Sequence, residues 1–269
     1  MNRHQALQRT RERTPERTLV LERALRDGPA ESLLDVGCGD GALARWIDSL
    51  GICRSIIGID PDKESIDDAR RLTDSRRVSY RIRSTDDLGF PTLRFDVALM
   101  SYVLHHMDDP VTGVRRVADV LHPDGRLIVR EPIADGLSAA QIAARDLHHL
   151  KATIDRLLGI THNDTFESDE IRRLIASAGY RIASQTVACG PAGDDSADRA
   201  IEFARSYGGV GLSATVDRMR ERVVNAIRRD GIEDPPEVLL VATPGSLAER
   251  SDDPVERDGH ERGDQNQRW

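Results

Sequence analysis

The sequence predicts an α/β protein built on a doubly wound, seven-stranded sheet that is mostly parallel and ends in an antiparallel strand. Three observations predict it. Short apolar runs alternate with longer stretches of helical periodicity. Gly and Pro punctuate the junctions, as at Gly28-Pro29, Gly51 and Pro123-Asp124-Gly125. The apolar runs are nearly continuous, which suits strands covered on both faces.

The elements follow in order. Thr14-Pro15-Glu16 reads as a helix start, with a Thr cap and Pro in the first turn, and the helix stops at Gly28-Pro29. Leu33 to Gly37 is the first strand. Leu43, Ile47 and Leu50 share one face of the next helix, which Gly51 closes. Ile56 to Asp60 is strand two, followed by a helix with Ile66, Ala69 and Leu72 inward. Val78 to Arg83 is strand three and Phe95 to Tyr102 strand four. Asp109-Pro110 opens a helix with Val111, Val114, Val117 and Leu121 inward, and Arg126 to Arg130 is strand five. A long helix spans Ser138 to Leu158, with Leu147, Leu150, Ile154 and Leu157 as its apolar stripe and His148 turned to solvent. Ser168 caps the next helix, which ends at Gly179. Tyr180 to Val187 is strand six. Helices near Ser196–Tyr207 and Thr215–Arg229 follow; Val216, Met219 and Val223 on the second are core. Glu237 to Ala242 is strand seven.

Composition bounds the rest. The chain of 269 residues suits one such domain with insertions. Its apolar content of 39% is low, and part of the deficit lies at the ends. Residues 1–17 form a polar segment, 18–243 the domain, and 244–269 a charged tail expected to be disordered. The net charge of −8 argues against a general polyanion binder. Cys38, Cys53 and Cys189 match no disulfide or metal spacing, which fits a reducing cytoplasm. No run is long and apolar enough for a membrane span, and no signal peptide is visible.

In open sheets of this kind ligands bind beyond the carboxyl ends of the strands. Gly37, Gly39 and Gly41 end strand one there and let the backbone turn tightly and approach a ligand. Asp60 ends strand two, where a carboxylate accepts from both hydroxyls of a ribose. Pro61 offers an apolar surface to an adenine ring. The two late insertions, about 133–167 and 190–236, leave and re-enter the sheet at this same edge and are expected to cap the site.

The run Leu33-Leu34-Asp35-Val36-Gly37-Cys38-Gly39-Asp40-Gly41 resembles the first motif of class I S-adenosylmethionine-dependent methyltransferases. Ile57-Gly58-Ile59-Asp60-Pro61-Asp62 resembles their second. Phe95-Asp96-Val97-Ala98-Leu99 with Val103-Leu104-His105-His106 resembles their fourth. Leu121-His122-Pro123-Asp124-Gly125-Arg126-Leu127 resembles the turn before their fifth strand. The likeness covers residues 30–132, and is nearest to ubiquinone- and menaquinone-type and small-molecule methylases. It implies a Rossmann-like fold, S-adenosylmethionine as cofactor and a small-molecule methyl acceptor attacked by in-line displacement. By this likeness Gly37 and Gly39 line the methionine moiety, Asp35 orients its amino group, Asp60 holds the ribose, and the Ser101 backbone faces the amino-acid end. The family usually has Asp after strand three, facing the adenine amino group. This chain has Ser84 there, followed by Thr85, with Asp86 as the alternative.

Positioning donor and acceptor is the main demand of such a transfer. A base helps where the acceptor carries a mobile proton. His162, Glu131 and His106 are the candidates, with His105 and His149 at the same rim. No residues are read as metal ligands. Two rival classes fit less well. A nicotinamide oxidoreductase would want G-x-G-x-x-G, but position 42 is Ala. An amine-directed nucleic-acid methylase resembles proteins with Asn-Pro-Pro-Tyr where this chain has Ser101-Tyr102-Val103-Leu104, so nucleic acid is not the expected partner. A non-catalytic S-adenosylmethionine-binding protein would share every one of these motifs. Oligomeric state does not follow from the sequence.

Overall fold

A computed structural model describes residues 15–90, 94–190, 197–207 and 213–245. Seven strands form one sheet: β1 (Ser32–Val36), β2 (Ser55–Asp60), β3 (Val78–Ile82), β4 (Phe95–Ser101), β5 (Leu121–Pro132), β6 (Tyr180–Ala188) and β7 (Glu237–Pro244). The helices are α1 (Pro15–Arg26), α2 (Ala42–Ser49), α3 (Lys63–Arg71), α4 (Pro110–Val117), α5 (Ala139–Leu157), α6 (Ser168–Ser177), α7 (Ala197–Ser206) and α8 (Ala214–Asp230). The spatial order is β3-β2-β1-β4-β5-β7-β6. All pairings are parallel except those of β7 with β5 and β6. The strand order reverses between β1 and β4, so a crevice opens beyond their carboxyl ends.

Strand alternation sends residues to two different cores. Leu34, Val36, Ala98, Met100, Leu127 and Val129 meet α4 and α6 on one face. Leu33, Val97, Leu99 and Ile128 meet α1, α2 and α3 on the other. A third core is separate from both: Leu147, Leu150 and Ile154 of α5 pack with Ile201 of α7 and Val216, Val223 and Ile227 of α8. Both insertions therefore join in one helical layer. Each helix carries an apolar stripe, which a free-standing loop would not need.

Several local expectations change. Ser168 is the first residue of α6 rather than its cap, because its hydroxyl and N–H both go to Asp135 (2.8 and 2.7 Å). Glu167 takes the cap position, and its N–H donates to Glu170 (2.8 Å). Leu157 is 57% exposed and leaves the stripe of α5. Leu121 belongs to β5, since α4 already ends at Val117. β5 is longer than expected at both ends. Leu121 pairs with Phe95 before a register shift, while Glu131 and Pro132 pair with β7. Pro244, placed in the tail by composition, pairs with Tyr180 as the last residue of β7. The Thr14 cap, residues 1–14 and the tail from residue 246 lie outside the described residues.

The start of α1 is not merely polar. Arg17 is buried, and donates from Nη2 to the Pro235 carbonyl (2.5 Å) and from Nη1 to Asp234 (3.4 Å). At the other end of α1, buried Arg126 donates to the carbonyls of Leu25 (2.9 Å) and Pro29 (2.5 Å). A guanidinium thus serves carbonyls that a helix C-terminus leaves without partners. α1 is clamped across the sheet, with its N-terminus at the rim where the second insertion returns.

Candidate active site

The glycine turn after β1 is fixed from two sides. Gly37 N–H and Cys38 N–H both donate to the Ile59 carbonyl (2.8 and 3.0 Å). Gly39 N–H donates to Asp60 Oδ2 (2.9 Å), and Asp62 N–H to Asp60 Oδ1 (2.9 Å). Gly37 and Gly41 have φ of +71° and +76°, a region that L side chains rarely enter. Space is short as well: a Cβ on Gly37 would sit 2.4 Å from a Val103 methyl, and one on Gly41 2.3 Å from the Tyr80 hydroxyl. The turn is therefore pressed onto the segment after β4 and onto the Tyr80 ring. Asp35 is buried beneath it.

Asp60 is half-buried at the end of β2, and desolvation raises its carboxyl above the usual range even though two backbone N–H groups stabilise the charge. Each oxygen accepts one of those bonds and keeps further lone-pair capacity for a ligand. Pro61 beside it is exposed. Beyond β3, Ser84 is half-buried and accepts from Asp86 N–H (3.1 Å). Thr85 is buried toward α4. Asp86 is exposed and held by Arg116 of α4. That leaves Ser84 as the less engaged of the two alternatives beside the crevice. Ser101 closes β4 at the same edge. Burial and the neighbouring carboxylates of Asp35 and Asp60 push the Cys38 thiol far up, so it is inert at neutral pH.

Immediately after β4, Tyr102 has φ +59°, the one non-glycine residue with positive φ among the described residues. Backbone of this kind persists where its surroundings over-determine it. Its N–H donates to the Arg130 carbonyl (2.8 Å). Its hydroxyl donates to Glu237, whose other oxygen accepts from Arg130 Nε (2.8 Å). Arg17 Nε lies 3.6 Å from Glu237 as well. Arg17, Arg130 and Glu237 are all nearly fully buried. This network escaped the motif reading, although Arg130-Glu131 at the end of an apolar strand is an unusual place for two charges.

Glu131 has no exposed surface. Oε1 accepts from Val103 N–H (2.6 Å) and Leu104 N–H (2.7 Å), and Oε2 pairs with His105 Nδ1 (2.7 Å). It shapes the turn Leu104–His106 and meets no open space. His106 is exposed at that turn, while His162 is buried. His162 Nδ1 pairs with Asp155 (2.6 Å) and its Nε2 lies 3.2 Å from His148 Nε2. His148 is therefore not turned to solvent: its ring meets those of His105 and His162 at centroid distances of 5.0 and 4.7 Å. The α5 backbone rotates it there because the stripe residues Leu147 and Leu150 point to α8. Burial, joined by the Lys151 ammonium and the His105 ring, holds the His162 imidazole below the ordinary range against the opposing bond to Asp155. Burial opposes it, but bonds from His162 and Lys151 bring Asp155 down to about 2. His149 accepts or donates at Thr165 Oγ1 (2.9 Å).

A small cavity of about 20 Å³, room for roughly one water molecule, lies between these features, lined by Arg17, Tyr102, Pro132, Arg145, His148 and Thr165. It draws on α1, the β4 and β5 ends, α5 and the loop before α6. Asp234 and Pro235 of the second insertion close it.

The comparisons with known proteins agree with this geometry. The family model described as "Methyltransferase domain" matches residues 6–185. The chain is 35% identical over 168 residues to an uncharacterized 37.1 kDa protein in transposon TN4556 of Streptomyces fradiae, covering 61% of this chain and 47% of that one. It is 32% identical over 130 residues to a ubiquinone biosynthesis O-methyltransferase of Xanthomonas oryzae, covering 44% and 54%. The chain thus spans about half the length of these curated relatives. A solved cyclopropane-fatty-acyl-phospholipid synthase-like protein from Lactobacillus casei shares the fold, with a TM-score of 0.65 and 16% identity over 84% of this chain and 88% of that one. No helix among the described residues is long and apolar enough to cross a membrane.

Proposed function

This chain belongs to the methyltransferase domain family, and on that premise we propose that it moves a methyl group from S-adenosylmethionine to a small-molecule acceptor. One observation carries the reading: the glycine turn with Asp60 and the cleft below α5 lie at the same sheet edge, joined by the strained segment Ser101–Val103. The residues fit the cofactor. Asp60 keeps acceptor capacity beside an exposed Pro61, as a ribose and adenine require, and Gly37 and Gly39 present backbone without side chains. Ser84 reaches the adenine side, and Asp35 and the Ser101 backbone the amino-acid end. The bound cofactor supplies an electrophilic methyl carbon on a sulfonium. The chain's own residues then hold an acceptor in line with it, in the cleft lined by Tyr102 and His148. Of the candidate bases, His106 is the exposed one, while His162 and Glu131 are buried.

Relatives named as O-methyltransferases support an oxygen acceptor of small size. The helical layer of α5, α7 and α8 serves as the lid, excluding water while the acceptor is held. Two measurements test the reading. Asp60→Ala should weaken S-adenosylhomocysteine binding by the ~1–3 kcal/mol of a polar group left unpaired; unchanged affinity in a folded variant refutes the ribose role. In hydrogen exchange, S-adenosylhomocysteine with a hydroxyl-bearing small-molecule acceptor should protect both α5 and α8. Protection confined to Gly37–Asp60 would place the acceptor elsewhere.

A further inference from the structure

We propose that His105, His106 and His162 form a binding site for a divalent transition metal of the zinc type. One nitrogen of each ring lies within 4.8 Å of the corresponding atoms of the other two. The rings themselves are packed together, with centroids of 4.3 Å for His105–His106 and His106–His162 and 5.5 Å for His105–His162.

The outer partners make this more than a crowd of rings. A metal-bound imidazole gives one nitrogen to the ion and donates the other N–H to a carboxylate or carbonyl, which fixes the tautomer. Two of the three rings have such a partner. His105 Nδ1 pairs with Glu131 (2.7 Å) and His162 Nδ1 with Asp155 (2.6 Å). Nε2 of His105 and of His162 is left for the shared space, and His148 Nε2 borders it, 3.2 Å from His162 Nε2. A tetrahedral zinc with bonds near 2.1 Å sets its ligand atoms ~3.4 Å apart; the three nitrogens lie within 4.8 Å of one another, so metal binding would draw the rings inward and take His162 Nε2 from His148.

Glu131 and Asp155 place two carboxylates behind the imidazoles; one ammonium, Lys151, is paired to Asp155 and lies 3.4 Å from His162 Nδ1. Imidazole ligands select zinc, copper, nickel or iron over calcium or magnesium. Three protein ligands leave a fourth position, the pattern of a zinc that carries water or substrate. His148 both borders this space and lines the acceptor cleft. No spacing rule shows the site in the sequence, because the ligands come from the turn after β4 and from the loop after α5, with supporting carboxylates on β5 and α5.

The test uses the full chain, stripped with a chelator and titrated with Co²⁺ as a spectroscopic stand-in, then with Zn²⁺. The expected result is one equivalent of Co²⁺ with the intense visible absorption of tetrahedral coordination, displaced by Zn²⁺. His162→Ala should abolish it. Asp155→Asn, which keeps side-chain shape, should weaken Zn²⁺ binding ~10–100-fold, measured where circular dichroism shows the variant folded. Absorption like that of aqueous Co²⁺, or equal Zn²⁺ affinity in the parent chain, His162→Ala and Asp155→Asn, overturns the proposal. Neither readout depends on methyl transfer.

Discussion

Glu237→Ala should lower the unfolding free energy by about 3–5 kcal/mol, the cost of breaking a buried ion pair by removing one partner. Glu237 is 2% exposed and faces Arg130 and Arg17, whose side chains are 4% and 2% exposed. Its loss leaves two guanidinium groups facing each other without their carboxylate, beneath the floor of the cleft. Asp234→Ala provides the contrast. Its side chain is 35% exposed, so its pair with Arg17 is solvent-screened and its loss should cost under about 1 kcal/mol. Denaturant unfolding of both variants decides. If Glu237→Ala is as stable as Asp234→Ala, the network does not hold α1 and β7 to the rim.

Glu131→Ala is expected to have the second large effect. It orphans the buried N–H of Leu104, at about 1–3 kcal/mol, and the part-buried N–H of Val103, at less. Because Val103 rests on Gly37, the released turn should also weaken S-adenosylhomocysteine binding. Glu131→Gln keeps an acceptor oxygen and should lose less of both. Thermal melts and calorimetry check this. A Glu131→Ala chain with the parent's melting temperature would show that the turn is held by something else.

The legible part of this protein was the part written locally. The strand–helix alternation, the glycine turn and Asp60 each depend on neighbours in sequence, so the sheet, the turn after β1 and the carboxylate ending β2 could be anticipated. So could β7 as the antiparallel strand. The α5 side of the crevice is built from long-range pairs. Arg17 meets Glu237, Glu131 meets His105, and His148 meets His162 across separate elements. The periodicity of α5 put His148 outside the apolar stripe correctly, but read that position as solvent because a polar cluster on its far side leaves no local trace. Ser168 was a fair cap by type and lost that role to Asp135, which is distant in sequence. Tyr102 carries backbone strain that only the fold reveals.

The central claim is that the donor lies in the crevice beyond β1, β2 and β4 while the acceptor enters from the α5 side. A crystal structure of the full chain with S-adenosylhomocysteine tests it most directly. The ribose hydroxyls should fall on Asp60, the adenine along Pro61 toward Ser84, and the sulfur should face the cleft lined by Tyr102 and His148. A ligand bound away from the Gly37–Gly41 turn, or one whose sulfur faces away from that cleft, would contradict the account.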